Sequence, residues 1–114
     1  MPEQLGQDIQ DCFKKFVEVE KLENVDMIYC TQCKDEKPMQ KQLSIFQTPP
    51  ILILQLKRFR FSNNQHFKLQ NAIEFPLYNL DLSPFVSDST FLKQMGSCCN
   101  YDLYGIVNHY GTLT

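Results

Sequence analysis

The sequence predicts an α+β fold in which short, mostly antiparallel strands follow one helix near the N-terminus. The helix is indicated by an apolar stripe over residues 8–20, where hydrophobic side chains recur at helical spacing from Ile9 onward. Asp8 stands just before this stripe and is the expected N-cap, with Asp11 three residues on. The strands are indicated by short apolar or alternating runs that are separated by turn residues, as at residues 62–65.

Five segments are expected to form these strands: one from Met27, a return strand through Gln40 to Phe46, and residues 51–61, 67–75 and 101–110. The run 51–61 opens with continuous aliphatic residues, which predicts burial on both faces. Leu80, Leu82 and Phe85 are expected to anchor the stretch that follows. Residues 87–100 are expected to be a surface insertion.

Composition and charge exclude several classes of protein. The 114 residues are 43% hydrophobic and carry a net charge of −2, which is typical of a globular domain without a general attraction for nucleic acid. The polar N-terminus lacks a secretory h-region, and the longest aliphatic run, residues 51–54, is too short to cross a bilayer. We therefore expect a cytoplasmic or nuclear protein with no nucleic-acid or membrane partner.

A Cys-X-X-Cys pair, Cys30 and Cys33, is the strongest chemical motif in the chain. Two thiolates at this spacing can occupy one edge of a tetrahedral zinc site, which needs four ligands. The pattern leaves two interpretations open, half of a structural zinc site or two free thiols in a turn. The remaining cysteines and histidines are poorly placed in sequence to complete the set: Cys12, His66, Cys98, Cys99 and His109.

Four segments taken in order resemble the ubiquitin-specific proteases, a family of papain-like cysteine deubiquitinases. The stretch ending in Leu-Lys-Arg-Phe is the most specific of them, and the Tyr-Asp-Leu stretch with its Asn-His-Tyr-Gly end is nearly as specific. In chain order the segments are Tyr29–Lys34, Pro50–Phe59, Glu74–Leu77 and Tyr101–Gly111. Together they cover most of residues 8–114.

The resemblance implies that residues 1–114 form part of a papain-like ubiquitin-specific protease domain, the second half of its fingers and much of its palm. The implied activity is thiol-dependent hydrolysis of the isopeptide bond at the C-terminal glycine of ubiquitin, with no cofactor for catalysis. No cysteine here matches the family's nucleophile box. We expect the domain to continue beyond both ends of the chain, so the chain has no catalytic residue and is expected to be inactive alone.

The resemblance also assigns binding roles. Phe75 is expected to line the narrow channel for the Gly-Gly end of ubiquitin, and His109 is expected at the edge of the loop that closes over the ubiquitin tail. Tyr110 and Gly111, which follow His109 in the same motif, are also expected to bind the substrate. His109 matches the first histidine of the family's closing motif, whereas the general base is the second, so His109 is not expected to be catalytic. Cys30 and Cys33 match the second Cys-X-X-Cys of the fingers zinc ribbon, which would make them half of a structural zinc site.

Further roles are structural. Leu52, Leu54 and Leu56 are expected in the core of the palm sheet, and Lys57 and Arg58 are expected to face solvent or pair with acids. The expected partners are ubiquitin and ubiquitinated proteins. Two other classes stay open, a non-catalytic ubiquitin-binding pseudoprotease module and a small zinc-ribbon binding protein unrelated to ubiquitin.

Overall fold

Short strands dominate the computed structural model, which describes residues 7–22, 27–87 and 99–111. These residues form one α-helix, one 3-10 turn and ten strands, which confirms the predicted α+β class. The elements are β1 (Gln7–Asp8), α1 (Ile9–Phe16), β2 (Glu20–Leu22), β3 (Ile28–Cys30), β4 (Asp35–Lys37), β5 (Met39–Lys41), β6 (Phe59–Ser62), β7 (Gln65–Lys68), β8 (Ile73–Glu74), β9 (Leu80–Asp81), the 3-10 turn Ser83–Phe85 and β10 (Asn100–Tyr101).

Helix α1 begins at a capping box. The Asp8 carboxylate accepts the backbone N–H of Asp11 at 2.7 Å, and the Asp11 carboxylate accepts the N–H of Asp8 at 3.5 Å. This pairing satisfies backbone donors that a helix N-terminus leaves without partners, so the predicted N-cap is confirmed. The helix ends at Phe16, four residues before the predicted end, because the chain turns there and enters β2 at Glu20.

The strands pair two by two. β2 with β5, β3 with β4, β6 with β7 and β9 with β10 are antiparallel, whereas β1 and β8 are parallel. The β1–β8 pair fixes the start of α1 beside Ile73 and Glu74, which are far away in sequence. The predicted strand through Gln40 to Phe46 is shorter than expected. It is paired only at Met39–Lys41, and Ile45 makes a single parallel bridge to Val86.

The hydrophobic core is small. Its buried side chains come from α1, β9, the 3-10 turn and the residue that joins the last two: Ile9, Leu80, Leu82 and Phe85. Phe13 of the helix stacks on Phe85 with ring centroids 5.3 Å apart. The expectation that Leu80, Leu82 and Phe85 anchor this region is therefore confirmed.

The prediction for residues 51–61 is wrong over most of its length. Only Phe59–Ser62 forms a strand, and the side chain of Ile53 is 86% exposed. Leu52 is half-buried against the core, but Leu54 and Leu56 are exposed. None of the described residues forms a sheet with residues 51–57, so this apolar run lacks the hydrogen-bonding partner that a buried strand requires.

The predicted strand over residues 101–110 is likewise limited to its first residue. β10 ends at Tyr101, and the Leu103 N–H then donates to the Leu77 carbonyl at 2.9 Å. Val107 is fully exposed and lies in no described strand. The predicted insertion at residues 87–100 lies mostly outside the described residues. No helix in the described part of the chain is long and apolar enough to span a bilayer.

Leu82 is the natural probe of the core because its side chain is 0% exposed. We expect Leu82→Ala to lower the free energy of unfolding by about 2–5 kcal/mol, since the truncation loses apolar contacts and leaves a cavity. Urea unfolding followed by circular dichroism would measure the change.

The matched control is Val107→Ala, because Val107 is 100% exposed and its truncation is expected to shift stability by less than about 0.5 kcal/mol. Equal effects of the two substitutions would contradict the assignment of the core.

Candidate functional site

The β6–β7 hairpin contacts His109 and Gly111, two of the predicted tail-binding residues. Its two-residue turn places Asn63 and Asn64 at φ 50° and 59°, in the left-handed region that asparagine tolerates. Two consecutive positive φ values are typical of the type I′ turn, whose twist matches that of a hairpin. The turn sets the register, in which Phe59 lies opposite Lys68.

Lys68 connects this hairpin to residues 109–111. Its Nζ lies 3.0 Å from His109 Nδ1, and it donates to the carbonyl oxygens of His109 at 3.2 Å and Gly111 at 2.9 Å. The His109 ring also meets the Phe59 ring edge-on, with centroids 5.3 Å apart and an interplanar angle of 90°. Phe59 and Lys68, which lie opposite each other in the hairpin, therefore both contact His109 and fix its position.

Arg58, the residue just before β6, also holds a neighbouring segment by its backbone carbonyls. Its guanidinium Nη1 donates to the carbonyl oxygens of Leu69 and Asn71, and the Leu69 N–H donates back to the Arg58 carbonyl. The expectation that Arg58 faces solvent or pairs with an acid is wrong, because backbone carbonyls are its partners. These bonds hold the segment that leads from β7 into β8.

The predicted tail-binding residues fall into two groups. His109 and Gly111 share the Lys68 ammonium, whereas the side chain of Tyr110 between them is 86% exposed. Phe75 follows β8 directly and is 47% exposed. The β6–β7 hairpin precedes both groups in sequence. Lys68 donates to the segment that carries His109 and Gly111, and Arg58 donates to Leu69 and Asn71, which lead into β8 and Phe75.

The Cys-X-X-Cys motif forms a knuckle at the turn between β3 and β4. The Cys33 N–H donates to Cys30 Sγ at 3.4 Å, and the Lys34 N–H donates to the Cys30 carbonyl at 2.8 Å. Lys34 adopts φ 53°, which closes the turn. The Cys33 N–H, helped by the Cys33 side chain and the Gln32 N–H, lowers the pKa of the Cys30 thiol because these donors stabilise the thiolate.

A third metal ligand does not join this pair within the described residues. No group of three or more His, Cys, Asp or Glu side chains lies in a metal-binding arrangement there. The knuckle itself nevertheless has the features of a metal ligand pair, since both sulfurs come from one tight turn and backbone donors favour the thiolate of Cys30.

A family model described as ubiquitin carboxyl-terminal hydrolase matches residues 4–114. The chain belongs to this family. The resemblance found in the four sequence segments is therefore confirmed, and with it the membership of the ubiquitin-specific proteases.

Relatives in this family come from animals and plants. The chain is 37% identical over 103 residues to ubiquitin carboxyl-terminal hydrolase 15 of Xenopus tropicalis and 35% identical over 103 residues to the Homo sapiens protein of that name. It is 39% identical over 102 residues to ubiquitin carboxyl-terminal hydrolase 8 of Arabidopsis thaliana. Each match covers 90% of this chain but only 10% or 11% of the relative, so the chain spans about a tenth of their length.

The fold is also similar to that of one chain in a solved DUB module. One chain of the SAGA Ubp8/Sgf11/Sus1/Sgf73 DUB module bound to ubiquitin aldehyde superposes with a TM-score of 0.73 at 33% identity. The superposition covers 99% of this chain and 25% of that one. The small sheets described above therefore correspond to part of the fold of that solved chain.

Sequence reasoning missed Lys68 and misread Arg58. Both are cations beside an apolar run, and such residues most often face solvent. Their hydrogen-bond partners are backbone carbonyls of segments that are distant in sequence or irregular. Because every residue carries a backbone carbonyl, the pattern of side chains does not indicate which carbonyl will accept. The interaction follows from the hairpin register and from the course of residues 109–111, which the side-chain pattern does not specify.

The hydrogen bonds at Cys30 predict its reactivity. As pH increases, the alkylation rate of Cys30 should begin to rise at a lower pH in the native chain than in the same chain unfolded in urea. The reason is that the folded knuckle lowers the pKa of the thiol and the thiolate is the reacting form. Mass spectrometry of iodoacetamide-treated peptides over a pH series would measure this rate. The same pH dependence in the folded and unfolded chains would rule out stabilisation of the thiolate by the knuckle.

Proposed function

We propose that this chain supplies the ubiquitin-holding part of a thiol-dependent deubiquitinase, namely the second half of the fingers and much of the palm. The supporting observation is the superposition on a chain of a module that was solved with ubiquitin aldehyde bound. Family membership supports hydrolysis at the C-terminus of ubiquitin as the activity of the whole enzyme. Ubiquitin and ubiquitinated proteins are then the partners.

The contacts of His109 argue for binding and against base catalysis. A general base needs an imidazole nitrogen with a free lone pair that faces the proton it removes. An ammonium group can only donate, so His109 Nδ1 accepts from Lys68 and the neutral ring carries its proton on Nε2. Neither nitrogen then offers a free lone pair.

We also propose that the nucleophile of the whole enzyme is none of Cys12, Cys30 and Cys33. Cys30 and Cys33 belong to a turn between two strands of the fingers, and Cys12 is on helix α1 among half-buried apolar neighbours. We therefore propose that the 114 residues do not cleave ubiquitin conjugates without further catalytic groups. Hydrolysis of a fluorogenic ubiquitin C-terminal amide by the purified 114-residue chain would contradict this assignment.

Residues 109–111 and Phe75 form the proposed tail-binding surface. The carbonyls of His109 and Gly111 are held by Lys68, and Phe75 offers a half-exposed ring beside β8. A backbone edge held by hydrogen bonds and an exposed aromatic ring both suit an extended peptide, since the edge can hydrogen-bond its backbone while the ring excludes water.

Ubiquitin binding tests this surface. We expect Phe75→Ala and His109→Ala each to weaken binding of immobilised ubiquitin by roughly 5- to 10-fold, because each removes a contact at the centre of the interface. Biolayer interferometry would measure the dissociation constants.

The matched control for Phe75→Ala is Phe46→Ala, since Phe46 is also an exposed phenylalanine but follows β5 rather than β8. Wild-type affinity in both Phe75→Ala and His109→Ala would refute the tail-binding assignment.

We further propose that Cys30 and Cys33 supply two of the four ligands of a structural zinc ion in the fingers. The knuckle fits this role because its turn presents two sulfurs, one of which is stabilised as the thiolate. A structural zinc needs four ligands, so a second pair must come from residues outside this knuckle. The metal would have no part in the hydrolysis and would instead tie the fingers together.

Zinc protection tests this half site. We expect added Zn²⁺ to slow alkylation of Cys30 and Cys33, because a bound metal ion engages both thiolates. Cys12 serves as the internal control, since it lies on α1 and outside the knuckle. Cys30→Ser should abolish the protection of Cys33. Equal protection of all three cysteines, or of none, would contradict the proposal.

A further inference from the structure

The Lys68 ammonium has a complete set of partners. A lysine side chain carries three N–H donors and no acceptor. Three acceptors lie within hydrogen-bond distance of Nζ, namely His109 Nδ1 at 3.0 Å, the His109 carbonyl at 3.2 Å and the Gly111 carbonyl at 2.9 Å. All three belong to one short segment that lies about forty residues away in sequence, so the cation is fully committed to holding that segment.

The shape of that segment explains how one cation reaches two of its carbonyls. Gly111 adopts φ 99°, a conformation in which any other residue would be strained. The turn it allows brings the Gly111 carbonyl back toward the carbonyl of His109, so both oxygens meet the same ammonium. Phe59 therefore contacts the His109 ring, and Lys68 contacts both the ring and the backbone carbonyl of the same residue.

The chemistry of the contact also selects a tautomer. Since the ammonium can only donate, Nδ1 must be the unprotonated nitrogen of the His109 ring, and the proton of the neutral ring must be on Nε2. Nε2 lies on the side of the ring away from Lys68, and His109 is exposed. The ring thus presents a single N–H donor in a fixed direction.

We propose that Lys68 is a positioning residue of the ubiquitin-tail site: it holds His109 in the Nε2–H tautomer so that Nε2–H donates to a backbone carbonyl of the bound tail. The identity of the ligand, the ubiquitin tail, rests on the proposed function. The assignment of the His109 tautomer does not. A peptide backbone offers one carbonyl acceptor per residue, and a neutral imidazole N–H held rigidly is a suitable partner. A purely structural lysine would have no effect on the tautomer of the ring.

The tautomer can be measured directly. The ¹⁵N chemical shifts of the His109 ring in the 114-residue chain at neutral pH distinguish a protonated from an unprotonated Nδ1. We expect the Nε2–H form in the wild type, a mixture of tautomers in Lys68→Met and the Nε2–H form again in Lys68→Arg, which keeps a donor cation. Lys57→Met is the matched control, because it removes the same charge from an exposed lysine next to the hairpin.

Two results of this measurement would overturn the proposal. One is an Nδ1–H tautomer in the wild type, and the other is a pure Nε2–H form that persists in folded Lys68→Met. If Lys68→Met does not fold, as judged by loss of amide dispersion, the wild type and Lys68→Arg decide the question.

Binding of ubiquitin tests the second half of the proposal. We expect Lys68→Met to weaken ubiquitin binding by about 10-fold, Lys68→Arg to restore most of it and Lys57→Met to leave it unchanged. Lys68→Met should add little to the loss already caused by His109→Ala, since both act through the same donor. Independent, multiplicative losses would refute the positioning role. Absence of ubiquitin binding by the wild type would refute the proposed function and the donor role, whereas the tautomer result would still stand for Lys68 alone.

Discussion

Two cations at the base of the β6–β7 hairpin hold together the segments on which the candidate site depends. Arg58 donates to the carbonyls of Leu69 and Asn71 on one side, and Lys68 donates to the carbonyls of His109 and Gly111 on the other. These segments have few strand partners of their own among the described residues, so their backbone acceptors are satisfied by side chains instead. The two positive φ values at Asn63 and Asn64 give the hairpin a turn whose twist suits its strands, and the two cations link this hairpin to both segments.

The hydrophobic core plays a more limited part. It joins α1 to β9 and the 3-10 turn through Ile9, Leu80, Leu82 and Phe85, and it reaches Leu52 only at its edge. The apolar residues beyond Leu52 remain exposed, Ile53 among them. Strand-forming side chains therefore do not produce a strand by themselves, because each backbone donor and acceptor must also find a partner at the correct distance. The same reason limits the strand at residues 101–110 to Tyr101.

The Cys30–Cys33 knuckle and the proposed tail-binding segment, residues 109–111, share one chemical feature. In the knuckle, the Cys33 N–H donates to Cys30 Sγ and favours the thiolate, the form that would bind the proposed zinc ion. In residues 109–111, the Lys68 ammonium lies 3.0 Å from His109 Nδ1, which leaves Nε2 for the proposed donor role. In both places, a nearby donor already contacts the side chain on which the proposed role depends.

The sequence by itself determined the family, the capped start of α1, the Asn-Asn turn and the Cys-X-X-Cys knuckle. These features depend on residues that are neighbours in the chain, so local residue types were sufficient to predict them. The family segments likewise point to Phe75 and His109–Gly111 through their residue types alone. Only the tertiary structure decided that residues 51–57 have no strand partner among the described residues and that Lys68 holds His109. Those outcomes depend on backbone groups distant in sequence, and every residue type carries the same backbone carbonyl, so no side-chain pattern could reveal them.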